Sequence, residues 1–162
     1  MTAPQRHLWL NPFRKKSLDE RVVQAWQETP LLRGVSARIC EKLVACTHVR
    51  QYNSGEHLFR EGDTAVAAAL IVEGSIIIRA NGEDIARLEA GDFFGEAALL
   101  ADSPRSASAV AEGPTSVSLL VRYQFEEFVR HRPQEGLDIM TNLARLLLGR
   151  LQLGNTRLGE DQ

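Results

Sequence analysis

One stretch in the second half of the chain combines the residue types that bind a small anion. Gly95 comes shortly before residues 97–100, which are good helix formers and predict one short turn of helix. The start of a helix presents backbone N–H groups with a positive partial charge, and such an end attracts anions. Arg105 follows a few residues later, and its planar guanidinium suits the oxygens of a phosphate better than a lysine would. The spacing therefore predicts a phosphate site.

Glu96 lies at the mouth of the same turn and constrains the ligand further. A phosphate alone would repel this carboxylate, so Glu96 belongs to the site only if the ligand also offers a hydrogen-bond donor. A ribose hydroxyl is such a donor. Taken singly, Glu96 and Arg105 are ordinary exposed charges. Together with the glycine and the short helix, they predict a ligand that carries both a phosphate and a sugar.

The chain offers little for catalysis. Its four histidines form no His-x-His pair, and none stands at a spacing that would close a metal site with Glu96. A Gly-Lys-Ser/Thr phosphate loop, a Gly-x-Ser-x-Gly elbow and a Cys/His pair suited to nucleophilic catalysis are missing from the sequence. We therefore expect a binding protein with no catalytic residue, no metal and no cofactor.

Bulk composition narrows the class of protein. The chain has 162 residues, of which 44% are hydrophobic and 25% charged, as in an ordinary soluble domain. A formal net charge of -2 gives no general basic field for a nucleic-acid backbone. No apolar run approaches the roughly 18 residues of a membrane span, and the N-terminus lacks a signal-peptide pattern. Cys40 and Cys46 are predicted as core thiols, which suits a reducing cytoplasm.

The chain divides into an arm, two helical regions and a β region between them. Residues 1–16 mix prolines and aromatics without a period and are predicted as an N-terminal arm, before one domain over residues 17–162. Within this domain, helices are predicted over 17–46 and 122–162. Glycines punctuate residues 47–121, where strands are predicted at 69–72, 75–79, 85–88 and 116–121 and Asn81-Gly82 indicates a hairpin. The fold class is mainly β with flanking α.

The last predicted helix, from Leu137 to about Leu153, has apolar residues on more than one face. One side of a small β domain cannot bury that much apolar surface. Something else must cover the remainder. The candidates are a second copy of the chain, a partner protein or the N-terminal helix.

These segments resemble the cyclic nucleotide-binding domain family, which includes bacterial catabolite activator proteins and regulatory subunits of cAMP-dependent kinases. The resemblance centres on Phe94-Gly95-Glu96-Ala97-Ala98-Leu99-Leu100 and Arg105-Ser106-Ala107, which are similar to the family's phosphate-binding cassette. Turns that contain glycine extend the resemblance over residues 31 to 153. The resemblance implies a double-stranded β-helix, or jelly-roll barrel, with N-terminal helices and a long C-terminal helix.

The resemblance also implies roles for individual residues. Glu96 accepts a hydrogen bond from the ribose 2′-hydroxyl, and Arg105 pairs with the exocyclic phosphate oxygens. Gly95 and three backbone N–H groups complete the cradle, those of Ala97, Ala98 and Ala107. Ser106 stands where some members carry alanine and others a hydroxyl, which can bond the phosphate or a syn guanine. Both cAMP and cGMP therefore stay open, and cAMP is favoured because bacterial members with serine here are similar to cAMP receptors.

The last helix resembles the dimer helix of the catabolite activators, which carry an apolar seam where this chain has Leu143, Leu146, Leu147 and Leu151. Gly154-Asn155 stands where those activators carry a Thr-Ser pair against the adenine, and the Asn155 amide can bond an adenine edge. The chain ends at Gln162, where a transcription factor would continue into a helix-turn-helix domain, so we expect no direct DNA binding.

The sequence thus predicts a cytoplasmic, stand-alone sensor of cAMP or cGMP. We expect it to regulate a partner, or its own assembly as a homodimer, through its terminal helices. The alternative is a domain that keeps the same fold but serves only as an interaction or dimerisation module, independent of any cyclic nucleotide.

Overall fold

The structure is a computed structural model that describes the backbone of residues 18–160 and the side chains of residues 19–153. The predicted arm over residues 1–16 lies outside this part. Helices α1 (Leu18–Gln27) and α2 (Ala37–Val44) precede the β region, with a 3₁₀ turn at Pro30–Leu32 between them, and α3 (Arg122–His131) and α4 (Pro133–Glu160) follow it. The strands are β1 (His48–Tyr52), β2 (His57–Phe59), β3 (Ala67–Glu73), β4 (Ser75–Ala80), β5 (Glu83–Glu89), β6 (Phe93–Phe94), β7 (Ser108–Ala111) and β8 (Thr115–Val121).

The strands form two antiparallel sheets, with the orders β1-β8-β3-β6 and β2-β7-β4-β5. Apolar side chains of both sheets share one core, made of Tyr52, Ala69, Ile71, Ile76, Phe94, Ala109, Ala111 and Val117. The predicted fold class, mainly β with flanking helices, is confirmed. The prediction of a barrel needs one correction, because the described strands stay in two separate sheets that do not close. The edge strand β6 is only two residues long, and the chain leaves it at once for a turn.

Strand β3 is apolar without alternation because both of its faces are buried. Ala69 and Ile71 belong to the core between the sheets, whereas Ala68 and Leu70 belong to a second core under the helices. The helices contribute to that second core Val22, Trp26, Ile39, Cys40, Leu43, Phe125, Phe128, Ile139 and Leu143. This packing fixes the helices, including the first half of α4, against the sheet.

The local predictions for the β region are largely right. The strands predicted at 69–72, 75–79, 85–88 and 116–121 fall within β3, β4, β5 and β8. The predicted hairpin joins β4 to β5, and Asn81 and Gly82 both have positive φ, at 51° and 81°. Two central residues with positive φ are what a tight two-residue hairpin with the native strand twist requires.

The last helix is longer than predicted. It begins at Pro133, where a missing N–H costs nothing, and continues to Glu160. Its first half buries Ile139 and Leu143 completely, whereas Leu148, Leu151 and Leu153 are exposed. None of the helices within residues 18–160 combines the length and the apolar content that crossing a membrane requires.

The two cysteines of the α2 region are free thiols. Cys40 is buried in the core beneath the helices, and burial raises the pKa of its thiol. Cys46 is only partly buried. The prediction of a core thiol is therefore right for Cys40 and too strong for Cys46.

Candidate functional site

A cavity of about 330 Å³ opens beside the turn that follows β6. This volume lies at the lower end of the range that small-molecule sites occupy. Its walls come from the second sheet, from the segment before β7 and from α4, and comprise Phe59, Ile78, Ala86, Leu88, Phe94, Gly95, Arg105, Ser106, Ala107 and Arg150. Most of these walls are apolar, and the two arginines supply positive charge. The cavity therefore suits an anion that also carries an apolar surface.

A larger surface depression, of about 640 Å³, lies beside α1, but its chemistry is different. Its lining includes the carboxylates of Asp19, Glu20, Glu28 and Glu41, which would repel an anion. Within the described part of the chain, no three side chains of histidine, cysteine, aspartate or glutamate are grouped as a metal ion would need. The smaller cavity is therefore the candidate site.

Gly95 is required at its position for two reasons. Its φ is 70°, a left-handed conformation that other residues rarely adopt. A Cβ atom at this position would also lie only 2.7 Å from Nη1 of Arg105. The turn that follows is a 3₁₀ helix at Glu96–Leu99, one residue earlier and tighter than the predicted turn over residues 97–100.

Arg105 is held in place by both its backbone and its side chain. Its N–H donates to the carbonyl of Asp63, and its own carbonyl accepts from the N–H of Gly62, each at 2.8 Å. In the side chain, Nη2 donates to the carbonyl of Ala67 at 2.6 Å, and the guanidinium carbon lies 3.9 Å from the ring centroid of Phe59. Nε is buried and has no hydrogen-bond partner in the described structure.

The charge of Arg105 is not balanced by a carboxylate. Burial lowers the pKa of its guanidinium, and the more distant charge of Asp63 partly opposes that effect. An arginine nevertheless stays protonated in a protein. Among the described side chains, none forms an ion pair with Arg105. A half-buried positive charge without a counterion is an electrostatic site for an anion.

Glu96 is almost completely buried, with 3% of its surface exposed. Its Oε1 lies 2.9 Å from Nη1 of Arg150 on α4, and the same guanidinium donates from Nη2 to the carbonyl of Phe93 at 2.7 Å. Its other oxygen, Oε2, is buried and accepts no hydrogen bond from any described residue. The carboxylate is thus joined to α4 by one oxygen, while the second oxygen is left without a donor.

The remaining predicted site residues differ in their placement. Ser106 and Ala107 line the cavity. Ala97 is exposed, and the N–H of Ala98 donates to the carbonyl of Gly95 at 3.1 Å. Within the described structure this N–H closes the turn, and its contact with a phosphate stays a prediction.

The C-terminal helix supplies a residue that the sequence analysis did not predict, namely Arg150. A usable signal existed, because Arg150 follows Leu143 by seven residues and must share its inward face. Asn155, which was predicted to touch the base, also belongs to α4, but its side chain lies outside the described residues. Phe59 was missed as well, since its contact with Arg105 depends on the non-local pairing of β2 with β7.

Comparison with known proteins identifies the family and the fold of this domain. The family model for the cyclic nucleotide-binding domain matches residues 49–132. Glutaminase 1 of Bradyrhizobium diazoefficiens is 34% identical over 88% of this chain, and the Cyclic AMP receptor protein of Thermus thermophilus is 30% identical over 80% of it. A crystal structure of the catabolite activator protein of Thermus thermophilus is 31% identical, with a TM-score of 0.72 over 81% of this chain and 62% of that one.

The relatives are longer than this chain, which spans 23% of the glutaminase and 61% of the receptor protein. Similarity to a part does not carry over the activity of the whole protein. What the comparisons share is the domain itself, a jelly roll flanked by helices, and the family match over residues 49–132 includes the lining residues of the cavity except Arg150. The chain therefore belongs to the cyclic nucleotide-binding domain family.

Proposed function

We propose that this chain binds a cyclic nucleotide in the cavity beside Gly95 and that it prefers cAMP to cGMP. The observation that carries the proposal concerns two of the three described buried polar atoms without partners, Nε of the lining residue Arg105 and Oε2 of Glu96, which follows the lining residue Gly95 in the chain. Leaving such an atom unsatisfied costs about 1–3 kcal/mol, and more when the group is charged. One atom accepts and the other donates, so a ligand with both a sugar hydroxyl and a phosphate oxygen would satisfy them.

The phosphate belongs on the side of Arg105. A cyclic diester carries one negative charge, and Arg105 brings one positive charge that forms no ion pair with a described carboxylate and feels Asp63 only from a greater distance. Ser106 and Ala107 line the same side and can add polar contacts. The apolar walls at Ile78 and Leu88 then leave room for a base. This arrangement supports a nucleotide over an inorganic anion, which would leave those walls unused.

The preference for cAMP is the finer part of the proposal. It is supported by the resemblance at Ser106 and by the relative from Thermus thermophilus, whose name describes a cyclic AMP receptor. Ser106 is exposed at the cavity, and its hydroxyl can bond either a phosphate or the amino group of a guanine. A direct comparison of the two nucleotides is therefore part of the test.

We further propose a regulatory role in the cytoplasm, without catalysis and without a cofactor. Arg150 supports this role, because it links the buried Glu96 to α4. A ligand that engages Glu96 would change the contacts of α4. It would thereby shift the equilibrium between two conformations that differ in how this helix packs. The output would be assembly with a second copy or with an effector, and the exposed Leu148, Leu151 and Leu153 offer a surface for it.

The alternative is an interaction module that binds no nucleotide. It is favoured by the same exposed leucines, since an apolar helix surface can assemble whether or not the cavity is filled. The two functions differ in one measurable property. A sensor assembles differently with and without the nucleotide, whereas a simple module does not.

Calorimetric titration with cAMP and cGMP tests the proposal. Wild type should bind cAMP more tightly than cGMP, and Arg105→Ala should weaken cAMP binding about ten- to a hundredfold, the worth of a charge-assisted hydrogen bond. Arg79→Ala is a matched control, because Arg79 lies on β4 in an exposed ion pair with Asp84 away from the cavity. Equal binding by wild type and Arg105→Ala would contradict the assigned site.

Elemental analysis of the purified protein adds an independent check on the absence of catalysis by a metal. We expect no stoichiometric iron, zinc or manganese. Finding one of these metals at one ion per chain would contradict the proposed sensor role and would favour an enzyme.

A further inference from the structure

Phe59, at the end of β2, contacts the guanidinium of Arg105. The guanidinium carbon lies 3.9 Å from the centroid of the ring, well inside the distance at which a cation is attracted to an aromatic face. The ring also packs against Phe94, with 6.1 Å between centroids, and it lines the cavity. Phe59 is therefore braced by the core between the sheets on one side and touches both the cation and the ligand space on the other.

Two arginines on strands of the second sheet, β4 and β5, are held differently from Arg105. Arg79 pairs with Asp84 at 2.6 Å, and Arg87 pairs with Glu112 at 2.8 Å. These carboxylates neutralise the arginines that they hold. Arg105 is held instead by an aromatic face and a backbone carbonyl, two partners without net charge. Its formal charge therefore stays available.

The contacts of Arg105 also fix the orientation of its guanidinium. The ring of Phe59 covers one face, the carbonyl of Ala67 accepts from Nη2, and the absence of a side chain at Gly95 leaves the space that Nη1 occupies. With these directions occupied, the group has little freedom to turn. An anion that approaches Arg105 meets donors that are already oriented, so that less entropy is lost on binding.

We propose that Phe59 is a positioning residue for the anion: its ring holds the Arg105 guanidinium in the binding orientation and replaces the carboxylate that would otherwise hold and neutralise it. This inference rests on the proposed function, since it concerns the same cavity and a cyclic nucleotide as its ligand. It adds that a residue of β2, a strand outside the segment of residues 91–110, increases the affinity for the anion.

A double-mutant cycle on the full chain tests this role. The dissociation constant for cAMP is measured by titration for wild type, Phe59→Leu, Arg105→Ala and the double variant. Phe59→Leu keeps an apolar side chain but removes the aromatic face, so it should weaken cAMP binding about three- to thirtyfold. In the Arg105→Ala background the same change should alter binding less than about twofold. Phe59→Tyr, which restores an aromatic face, should recover affinity to within about threefold of wild type.

A purely structural role for Phe59 gives a different pattern. Phe59→Leu would then weaken binding by the same factor with and without Arg105, and this result would overturn the inference while leaving cAMP binding by wild type in place. Failure of wild type to bind either cyclic nucleotide would overturn the proposed function and the role of Phe59 with it.

Urea unfolding of each variant separates folding from binding. If Phe59→Leu does not fold, Phe59→Met serves in its place, since methionine fills irregular apolar gaps without an aromatic face. Phe128→Leu is the matched control, because Phe128 also lies under an arginine, Arg132, but on α3 and outside the cavity lining. It should lower stability and leave the affinity for cAMP unchanged.

Discussion

The two arginines of the cavity are held in opposite ways. Arg105 comes from the segment before β7, is half-buried, and makes its contacts with a ring and backbone groups. Arg150 comes from α4, has half of its side chain exposed, and pairs with the buried carboxylate of Glu96. One side of the cavity therefore carries an unpaired charge on a rigid support. On the other side, the lining residue Arg150 is paired with Glu96, which is buried and is not itself among the lining residues.

This difference assigns the two sides different tasks under the proposed function. The Arg105 side is already formed and can supply affinity for a phosphate at little cost in rearrangement. The Arg150 side connects the turn after β6 to a helix whose second half has exposed apolar residues. A ligand that touches Glu96 competes with or strengthens a contact of that helix. Under the proposed function, affinity would come mainly from the Arg105 side, and the signal would leave through α4.

The largest expected effect comes from forcing Arg105 out of place. Gly95→Ala puts a Cβ 2.7 Å from Nη1 of Arg105, so we expect cAMP binding to fall about tenfold or more, close to the loss in Arg105→Ala. Gly82→Ala is the control, because Gly82 has a similar positive φ of 81° but open space around it. Both variants should lose about 1 kcal/mol of unfolding free energy from backbone strain.

Titration and urea unfolding of the two glycine variants separate strain from displacement. Equal cAMP affinities in Gly95→Ala and Gly82→Ala would show that the close approach to Arg105 does not matter for binding.

A smaller effect is expected from removing the charge on the opposite side. Glu96→Gln keeps a side-chain oxygen as an acceptor but loses the ion pair with Arg150. We expect binding of cAMP to weaken about three- to tenfold, because hydrogen bonds to charged groups are stronger than those to neutral ones. Binding of 2′-deoxy-cAMP, which lacks the hydroxyl donor, should change much less.

Glu127→Gln is the matched control for that experiment, since Glu127 pairs with Arg130 on the surface of α3. An equal loss for cAMP and its 2′-deoxy analogue in Glu96→Gln would remove the sugar contact from the proposed site.

The next prediction concerns the stability that α4 provides and not the binding of the phosphate. Arg150→Met leaves the buried carboxylate of Glu96 without its partner, which destabilises the chain. Because half of the Arg150 side chain is exposed, water can replace part of the interaction, so we expect a loss of about 1 kcal/mol of unfolding free energy. Urea unfolding measures it, and Arg145→Met, an exposed arginine on the same helix, is the control.

The two sides of the cavity also differ in how well the sequence predicted them. Gly95, Glu96 and Arg105 lie within eleven residues of one another, so local spacing and a family resemblance were enough to predict them. Phe59 and Arg150 reach the cavity from strand β2 and from helix α4, and their contacts depend on sheet pairing and helix docking. Helical spacing predicts that Arg150 shares the inward face of Leu143, but local patterns do not show that this face meets the cavity or that β2 lies beside Arg105.

The fold shows the same division. Short β-branched or alternating segments and turn residues predicted β3, β4, β5 and the hairpin at Asn81-Gly82, because these features depend on neighbours in the chain. They did not predict that the strands would stay in two sheets, since that depends on which strands lie at the edges. The start of α4 at Pro133 was missed although its signal is local, because proline is favoured at the first position of a helix.

The smallest expected effect on the single chain is at the exposed end of α4. Leu151 has 63% of its surface exposed, so Leu151→Asp should change the unfolding free energy by no more than about 0.5 kcal/mol. If α4 assembles this chain with a second copy, the same change should abolish the dimer in sedimentation velocity, because it would bury an unpaired charge at the interface. Wild type should then sediment as a dimer whose dissociation constant depends on cAMP, while Leu151→Asp sediments as a monomer with or without it. A dimer that persists in Leu151→Asp would place the interface elsewhere, and a wild-type dimer that ignores cAMP would favour the module without a ligand over the sensor.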